Sequence, residues 1–365
     1  MLISNKIHYF RNFKEQINMG KLPLIMYRCI FMFLLLCTSC VEQKDTTSIK
    51  IDLMATDSDT LYYSSFVDSL SYIPLETKDD CLIREITDAI LTNQYIFILD
   101  TPQQSVWIYS TKGKFIRSLH HQGNGPGEYI NLIQFEYDAD NRELLLLDGW
   151  NKSILRYSPD DKFIDKTVLD IYPSDFKKTA DGYLLSMLGA PDSIGGVYSY
   201  SSQNHKSTQL IKRTYNLPCN FNWELMGYDN EITFMAPPFD NIVYSYDKKG
   251  ALRQQIPFKI YPLPTQSYTE DVSTQHLPDF IRTNYIESSH WLYATYWRAE
   301  SGLRVFLYNK QNGDLQIGKR LVNDIDRVKY TYMTSSCNHN RFVFGYRKEE
   351  NTDDNPILQI LHLKN

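Results

Sequence analysis

A strand order that recurs along the chain predicts an all-β fold: a six-bladed β-propeller with four-stranded antiparallel blades. Three observations carry this expectation. An apolar run, a run ending in Tyr and a third run after a Lys/Gly or Asp/Lys turn follow one another as Tyr95–Asp100, Ser105–Tyr109 and Gly113–Arg117. The same order returns at Glu143–Asp148, Ser153–Tyr157 and Asp161–Asp165, and again at Glu231–Met235, Asn241–Tyr246 and Lys249–Arg253. The most apolar runs are spaced by about 50 residues, which is a blade-sized repeat. Finally, one strand-like segment near the N-terminus, Asp68–Glu76, belongs to no group, while the last group ends with the chain and lacks a fourth strand.

Taken in order, the second strands are expected at Tyr95–Leu99, Glu143–Leu147, Gly182–Leu188, Glu231–Met235, Trp291–Trp297 and Arg341–Tyr346. Each precedes a strand rich in Val, Ile, Leu and Tyr: Val106–Tyr109, Ile154–Tyr157, Val197–Tyr200, Ile242–Tyr246, Leu303–Tyr308 and Leu358–Leu363. Asp, Asn, Gly and Pro between them suit tight β-connections. Helical periodicity competes only around Thr274–Tyr285. Asp68–Glu76 is expected to complete the last blade and close the ring, which removes an exposed edge. Pro74 tolerates such an edge position because it has no N–H to offer a ladder. Two packed sandwiches are the competing all-β arrangement, and the unbroken repeat argues against them.

The N-terminus reads as a targeting segment. Lys21 and Arg28 precede an uncharged apolar core, Cys29–Cys37, too short to span a bilayer but of signal-peptide length. Thr38, Ser39 and Cys40 follow and resemble a bacterial lipobox with cleavage before Cys40, although Cys37 stands where Leu is usual. An ordinary signal peptide with an incidental cysteine is the other reading. The expected division is a signal peptide at 1–39, with the true start at Met19 or Met26, then a lipidated Cys40 and flexible tether over 40–60, and a propeller over 61–365. Acyl chains on Cys40 would anchor the protein to the bacterial cell envelope, at the outer membrane, and two or more chains are needed for stable anchoring.

Composition narrows the partners. Hydrophobic residues make up 42% of the chain, and 27 Tyr among 365 residues suit half-buried sheets. A net charge of -5 without a basic run argues against nucleic acid. Cys81, Cys219 and Cys337 are widely spaced, so a metal cluster is not expected, and buried single thiols are favoured over one disulfide.

His121-Gln-Gly-Asn-Gly-Pro-Gly-Glu-Tyr129 is a preformed loop between the outer strand of one blade and the inner strand of the next. Gly123, Gly125, Pro126, Gly127 and Glu128 are read as a structural corner, Glu128 bonding nearby backbone amides. An anion cradle is the alternative, without the Lys-Ser/Thr of a phosphate loop. At this loop, at Leu70–Thr77 and at Ser153–Tyr157, where Ser158 replaces a common Asp, the chain resembles a known family. This is the six-bladed propeller lipoproteins of gut Bacteroidota, related to NHL-like and TolB-like propellers. The resemblance spans residues 61–365, with sharp motifs only in the first two blades. It implies fold and anchoring, and carries over no catalytic residues.

Eight histidines form no metal-binding spacing, and no Gly-x-Ser-x-Gly elbow occurs. The acidic run Glu349–Asn355 lacks calcium-loop spacing and reads as a solvated hairpin tip. The long segment 257–289 is the size of a binding loop. It leads into Trp291, Tyr293, Tyr296, Trp297 and Arg298, the candidate ligand-binding residues. Strand alternation puts one face of that run in the core, leaving about half of its aromatics free. The expected function is therefore a membrane-anchored, monomeric binding module for a protein, small molecule or glycan, without catalytic residue, metal or cofactor. The alternative is a lyase or glycan-active hydrolase with its site in the central channel. Convergent charged groups in the channel would favour the enzyme, and exposed aromatics with a neutral channel would favour the module.

Overall fold

The computed structural model describes residues 51–187, 195–212, 226–228, 232–235, 242–259, 281–298, 302–328, 336–338, 341–347 and 354–365. The expected signal peptide, Cys40, residues 41–50, Cys219 and residues 260–280 lie outside them.

Three strands precede the repeats: β1 (Ile51–Asp52), β2 (Leu61–Tyr62) and β3 (Val67–Pro74). The first repeat is β4 (Asp88–Leu91), β5 (Tyr95–Asp100), β6 (Ser105–Ser110) and β7 (Phe115–Leu119). The second is β8 (Leu132–Asp138), β9 (Glu143–Asp148), β10 (Ser153–Tyr157) and β11 (Phe163–Val168). The third is β12 (Asp175–Thr179), β13 (Gly182–Ser186), β14 (Gly196–Ser201) and β15 (Lys206–Lys212). The fourth is β16 (Met226–Tyr228), β17 (Ile232–Met235), β18 (Ile242–Asp247) and β19 (Leu252–Lys259). The fifth is β20 (Ile281–Glu287), β21 (Trp291–Arg298), β22 (Gly302–Asn309) and β23 (Leu315–Gly318). After β24 (Leu321–Val322), the last is β25 (Ser336–Asn338), β26 (Arg341–Arg347) and β27 (Ile357–Leu363). Each repeat is an antiparallel meander in sequence order. The last sheet takes β3 as its fourth strand, and β1 adds to the fourth sheet beside β19.

The physical logic is clearest in β9. Leu144, Leu145, Leu146 and Leu147 are all buried. Leu144 and Leu146 join one cluster with Phe97 and Val106, while Leu145 and Leu147 join another with Phe176 and Leu185. Alternate side chains of a strand point to opposite faces, so this sheet is covered on both faces by its neighbours. Each such leucine contributes roughly 1.5–3 kcal/mol from burial, an upper bound against an extended chain. The arrangement repeats. Ile96 and Ile98 pack with Leu358 and Ile360 of the last sheet, and Leu184 with Tyr246 of the fourth. Val243 of the fourth sheet packs with Leu292 and Tyr296 of the fifth, and Trp291 and Tyr293 with Leu361 of the last.

The unclaimed N-terminal strand pairs as its sequence suggests. β3 runs antiparallel to β27, from Ile357 opposite Pro74 to Leu363 opposite Val67. Pro74 ends this edge strand, where no ladder bond is lost.

Two expectations need correction. Residues 51–60 are not a free tether. Ile51 and Leu53 are buried among Val243, Leu292 and Tyr296. β1 pairs in parallel with β19, Ser58 N donates to Ile317 O at 2.8 Å, and β2 pairs with β24. Ion pairs hold the segment, Asp57 with Arg304 at 2.5 Å and Asp59 with Arg320 at 2.7 Å. The apolar residues Ile51 and Leu53 within a polar stretch make it a strap over the outer strands. The helical alternative at Thr274–Tyr285 also fails over its described part, because Ile281–Glu287 is β20, and Tyr285 and Ile286 enter different inter-sheet clusters as strand neighbours do.

Candidate functional site

In an antiparallel meander, the turn from second to third strand emerges at the same edge as the connection from the fourth strand to the next sheet. We call this the upper edge. Two buried aspartates organise it. Asp148, ending β9, accepts from the backbone N–H of Ile130 (3.0 Å), Asn131 (3.2 Å), Trp150 (3.2 Å) and Asn151 (3.3 Å). Asp100, ending β5, accepts from Arg84 N at 2.8 Å and Gln103 N at 3.2 Å. Each carboxylate ties its own turn to the strand entering its sheet, so the recurrent terminal Asp of the motif is a structural knot.

The Gly-rich loop leaves β7 for β8 at this edge. Gly123 N donates to Tyr129 O at 2.9 Å and Tyr129 N to His121 O at 3.0 Å. Gly125 N donates to the Glu128 carboxylate at 2.6 Å. A Cβ on Gly123 would lie 2.1 Å from that same carboxylate. Glu128 thus occupies the place an anion would take. Gly127 has φ +78°, and a Cβ there would meet the Phe163 ring at 2.8 Å. Tyr157 donates its hydroxyl to Gly127 O and stacks on His121, which bonds Asp161 at 2.6 Å. Gly123, Gly125, Gly127 and Glu128 are therefore held as a corner, with Pro126 at its exposed turn.

The proposed aromatic platform divides differently from expectation. Trp291, Tyr293 and Tyr296 are buried, on both faces of β21, and pack in two inter-sheet clusters. They are core and unavailable to a ligand from solvent, because a sheet flanked by two neighbours has no free face. Trp297 is 38% exposed and Arg298 partly exposed, where β21 reaches the upper edge. Two aromatics that the sequence reading passed over share that edge. Trp150, 69% exposed, tips the β9–β10 turn, and Tyr172, 60% exposed, lies between β11 and β12. Lys152 Nζ stands 5.1 Å from the Tyr172 ring centre.

The first strands converge, β4 approaching β8 and β25, β8 approaching β12, and β25 approaching β16 and β20. On β4, β8 and β12 the register builds matching layers. Asp88, Gln134 and Asp175 stand opposite Leu99, Leu147 and Ser186. Two residues deeper, Ile90, Glu136 and Lys177 stand opposite Phe97, Leu145 and Leu184. These strands have an open side, and the first layer satisfies it locally. Asp88 Oδ1 accepts from Ala89 N (2.7 Å), Gln134 Oε1 from Phe135 N (2.9 Å) and Asp175 Oδ1 from Phe176 N (2.7 Å). Glu136 accepts from Lys178 N at 2.7 Å, and the Lys178 ammonium pairs with Asp138.

Burial pushes the Asp88 and Glu136 carboxyls above the ordinary carboxylate range, against the opposing pull of Lys177, which reaches both, and of backbone N–H donors. Both keep partial solvent exposure. The sequence signal was the alternation Asp88-Ala-Ile, Gln134-Phe-Glu136 and Asp175-Phe-Lys177, overlooked because the neighbouring second strands are more apolar. Among the described residues no cluster of three or more His, Cys, Asp or Glu could hold a metal ion. His120 contacts Ser105 at 3.0 Å, His205 contacts Tyr200 at 3.2 Å and His362 contacts Ser71 at 2.8 Å, each within or beside its own sheet. Cys81 is buried and unbridged, its thiol pushed up by burial. Asn355, expected at a solvated tip, is buried and bonds Ile83 N at 2.8 Å. No helix among the described residues is long and apolar enough to cross a membrane.

Sheets of this kind, packed face to face with their first strands converging, define an all-β, propeller-like protein with four-stranded antiparallel blades. The chain belongs to the family described as Domain of unknown function (DUF4934), matched over residues 46–364. It resembles the structure of a Bacteroides fragilis protein named as a candidate exported protein, with TM-score 0.66 and 18% identity, covering 87% of this chain and 99% of that one. A member of the duf4221 family from Bacteroides vulgatus follows with TM-score 0.50 and 9% identity, covering 82% and 97%. Both likenesses speak to fold alone. No curated protein matches the chain.

Proposed function

We propose that this protein is an exported lipoprotein of the bacterial envelope, anchored through Cys40 at the outer membrane, whose propeller binds a ligand at its upper edge. The carrying observation is that Trp150 and Trp297, at turns of the second and fifth sheets, and Tyr172, in the connection from the second sheet to the third, are exposed at one edge, with Lys152 and Arg298 beside them. Exposed aromatics next to cations are the usual anchors of recognition surfaces. A closed ring of six blades is the scaffold we infer, monomeric and related to NHL-like propellers. Apolar clusters between each sheet and the next, and between the last and the first, support it, as does the β3–β27 pairing. The description of the Bacteroides fragilis neighbour as exported supports the localisation.

Titrating the protein with a panel of oligosaccharides and peptides, read by Trp fluorescence, tests the binding face. Trp150→Ala and Trp297→Ala should weaken the response of whichever ligand binds, with melting unchanged. Binding indifferent to both substitutions refutes the assignment. The raised carboxyls of Asp88 and Glu136, on first strands that approach one another and both under the pull of Lys177, favour a second reading, an enzyme with its site where the first strands converge. Turnover of a bound oligosaccharide that Glu136→Gln abolishes would establish it.

A further inference from the structure

We propose that the corner formed by Trp150, Lys152 and Tyr172 binds an acidic sugar, a pyranose carrying a carboxylate, as in a chain of uronic acids. This rests on the reading of the upper edge as the binding face and names the ligand class for its second-sheet corner.

The β5–β6 and β9–β10 turns are built alike, which separates what the fold needs from what it does not. Asp100 and Ser105 close one turn as a cross-strand pair, and Asp148 and Ser153 close the other. In both, an amide side chain bonds back to the Asp, Gln103 Nε2 at 2.7 Å and Asn151 Nδ2 at 2.8 Å. In both, the next residue has a left-handed backbone, Gln104 with φ 52° and Lys152 with φ 44°. There the likeness stops. Gln104 spends its side chain on the fold, accepting from Leu132 N at 2.6 Å and donating to Thr101 O at 2.7 Å. The Lys152 ammonium makes no hydrogen bond or ion pair among the described residues, and stands 5.1 Å from the Tyr172 ring centre. Pro102 opens the first turn, where its ring stiffens the backbone. Trp150 takes that place in the second and leaves its indole 69% exposed. The turn is complete without an indole or an ammonium, so neither is demanded by the fold.

Trp150 and Lys152 are two residues apart, so their Cα atoms lie within about 7 Å of each other. Asp148 holds the backbone N–H of Trp150 and Asn151, so this part of the surface is ordered before a ligand arrives. Two exposed aromatic rings beside an ammonium suit a flat-sided ligand with one negative group. A pyranose lays its C–H face on an aromatic ring while its hydroxyls stay in water, and its carboxylate pairs with the ammonium. Asp170, a carboxylate that Lys152 attracts, is already spent on Ser207, accepting from its N at 2.9 Å and its Oγ at 2.6 Å. Three side chains fall short of the roughly 800 Å² a side that a stable protein interface buries, but they match a short run of sugar rings.

The test is calorimetric titration of the full-length chain in detergent at neutral pH. The probes are trigalacturonate, trimannuronate and a hyaluronan hexasaccharide, each beside its methyl ester, which keeps the rings and removes the charge, and a hexaglutamate peptide. At least one acid should bind, more weakly as salt is added, and its ester about fivefold more weakly, the upper range for an exposed ion pair. Lys152→Met should cost the acid the same factor and leave the ester unchanged. Trp150→Ala and Tyr172→Ala should each weaken both forms about tenfold, with melting unchanged. Failure of all three acids to bind, esters that bind as well as the acids, or acid binding indifferent to Lys152→Met overturns the proposal. If the acids fail while hexaglutamate or a neutral sugar responds to Trp150→Ala, the acidic-sugar class alone is wrong. If nothing responds to Trp150→Ala or Trp297→Ala, the upper-edge reading falls with it.

Discussion

Removing the Asp148 carboxylate should unfasten one sheet's upper edge and lower global stability measurably. Asp148 is fully buried and accepts four backbone N–H bonds, plus one from Asn151 Nδ2 at 2.8 Å. In Asp148→Ala these donors lose their common acceptor. Trp150 lies in an exposed turn, and Asn151 beside it is only half-buried, so both can turn to water. Ile130 and Asn131 follow directly on the Gly-rich corner, whose own hydrogen bonds hold their backbone in place. At about 1.5–3 kcal/mol for a hydrogen bond to a charged group, two such losses with partial rehydration give about 3 kcal/mol. For a domain of this size that corresponds to roughly 4–5 °C in melting temperature. Differential scanning calorimetry reads it directly, and urea unfolding should show a lower midpoint with an unchanged slope. Asp148→Asn, which keeps one acceptor oxygen, should lose about half as much. An alanine variant melting within a degree of the parent would refute the knot.

Further outcomes follow from the same geometry. Gly123→Ala must displace the Glu128 carboxylate, 2.1 Å from the new Cβ, so it should cost about as much as Glu128→Ala, roughly 1–2 kcal/mol each. The double variant should cost little more than either alone, and additive losses in urea unfolding would contradict the shared contact. Tyr293→Ala should cost about 3–5 kcal/mol as a core truncation, whereas Trp297→Ala should stay within about 0.5 kcal/mol. Equal melting shifts would undo that division.

The strap should loosen in acid. Burial raises the Asp57 and Asp324 carboxyls, but Arg304 and the Ser64 hydrogen bonds outweigh it, so both end below the ordinary value. The Thr60 hydroxyl and Arg320 lower Asp59. Groups with depressed folded values stabilise above the unfolded value and lose that contribution as pH falls through the folded one, here below about pH 4. Amide exchange over residues 57–66, corrected for intrinsic rates, should accelerate between pH 5 and pH 3. Unchanged protection would remove the ion pairs from the strap's support.

The repeat was legible because each buried strand leaves a local mark. Leu144–Leu147 is apolar at every position because neighbours cover both faces, and Ser105–Tyr109 and Ser153–Tyr157 share a pattern because they hold equivalent places. Asp68–Glu76 could be assigned to the last sheet because that sheet lacked a strand. Other features were misread where the local pattern fits two environments. Ile51 and Leu53 sit in a polar stretch, which looks like a tether until the outer strands of the fourth and fifth sheets are in place to receive them.

Sequence alone determined the recurring second and third strands, their order and the Gly-rich loop, since period, turn residues and apolar runs are properties of consecutive residues. Only the tertiary structure decided which aromatics are free. The Trp291–Trp297 run alternates as a strand should, yet both its faces are covered, and only packing between sheets reveals the second cover. It also decided where charge gathers. Asp88, Glu136 and Lys177 are 48 and 41 residues apart in sequence. They stand on first strands that approach one another, and Lys177 acts on both carboxyls, a juxtaposition made by the stacking of sheets and carried by no local pattern.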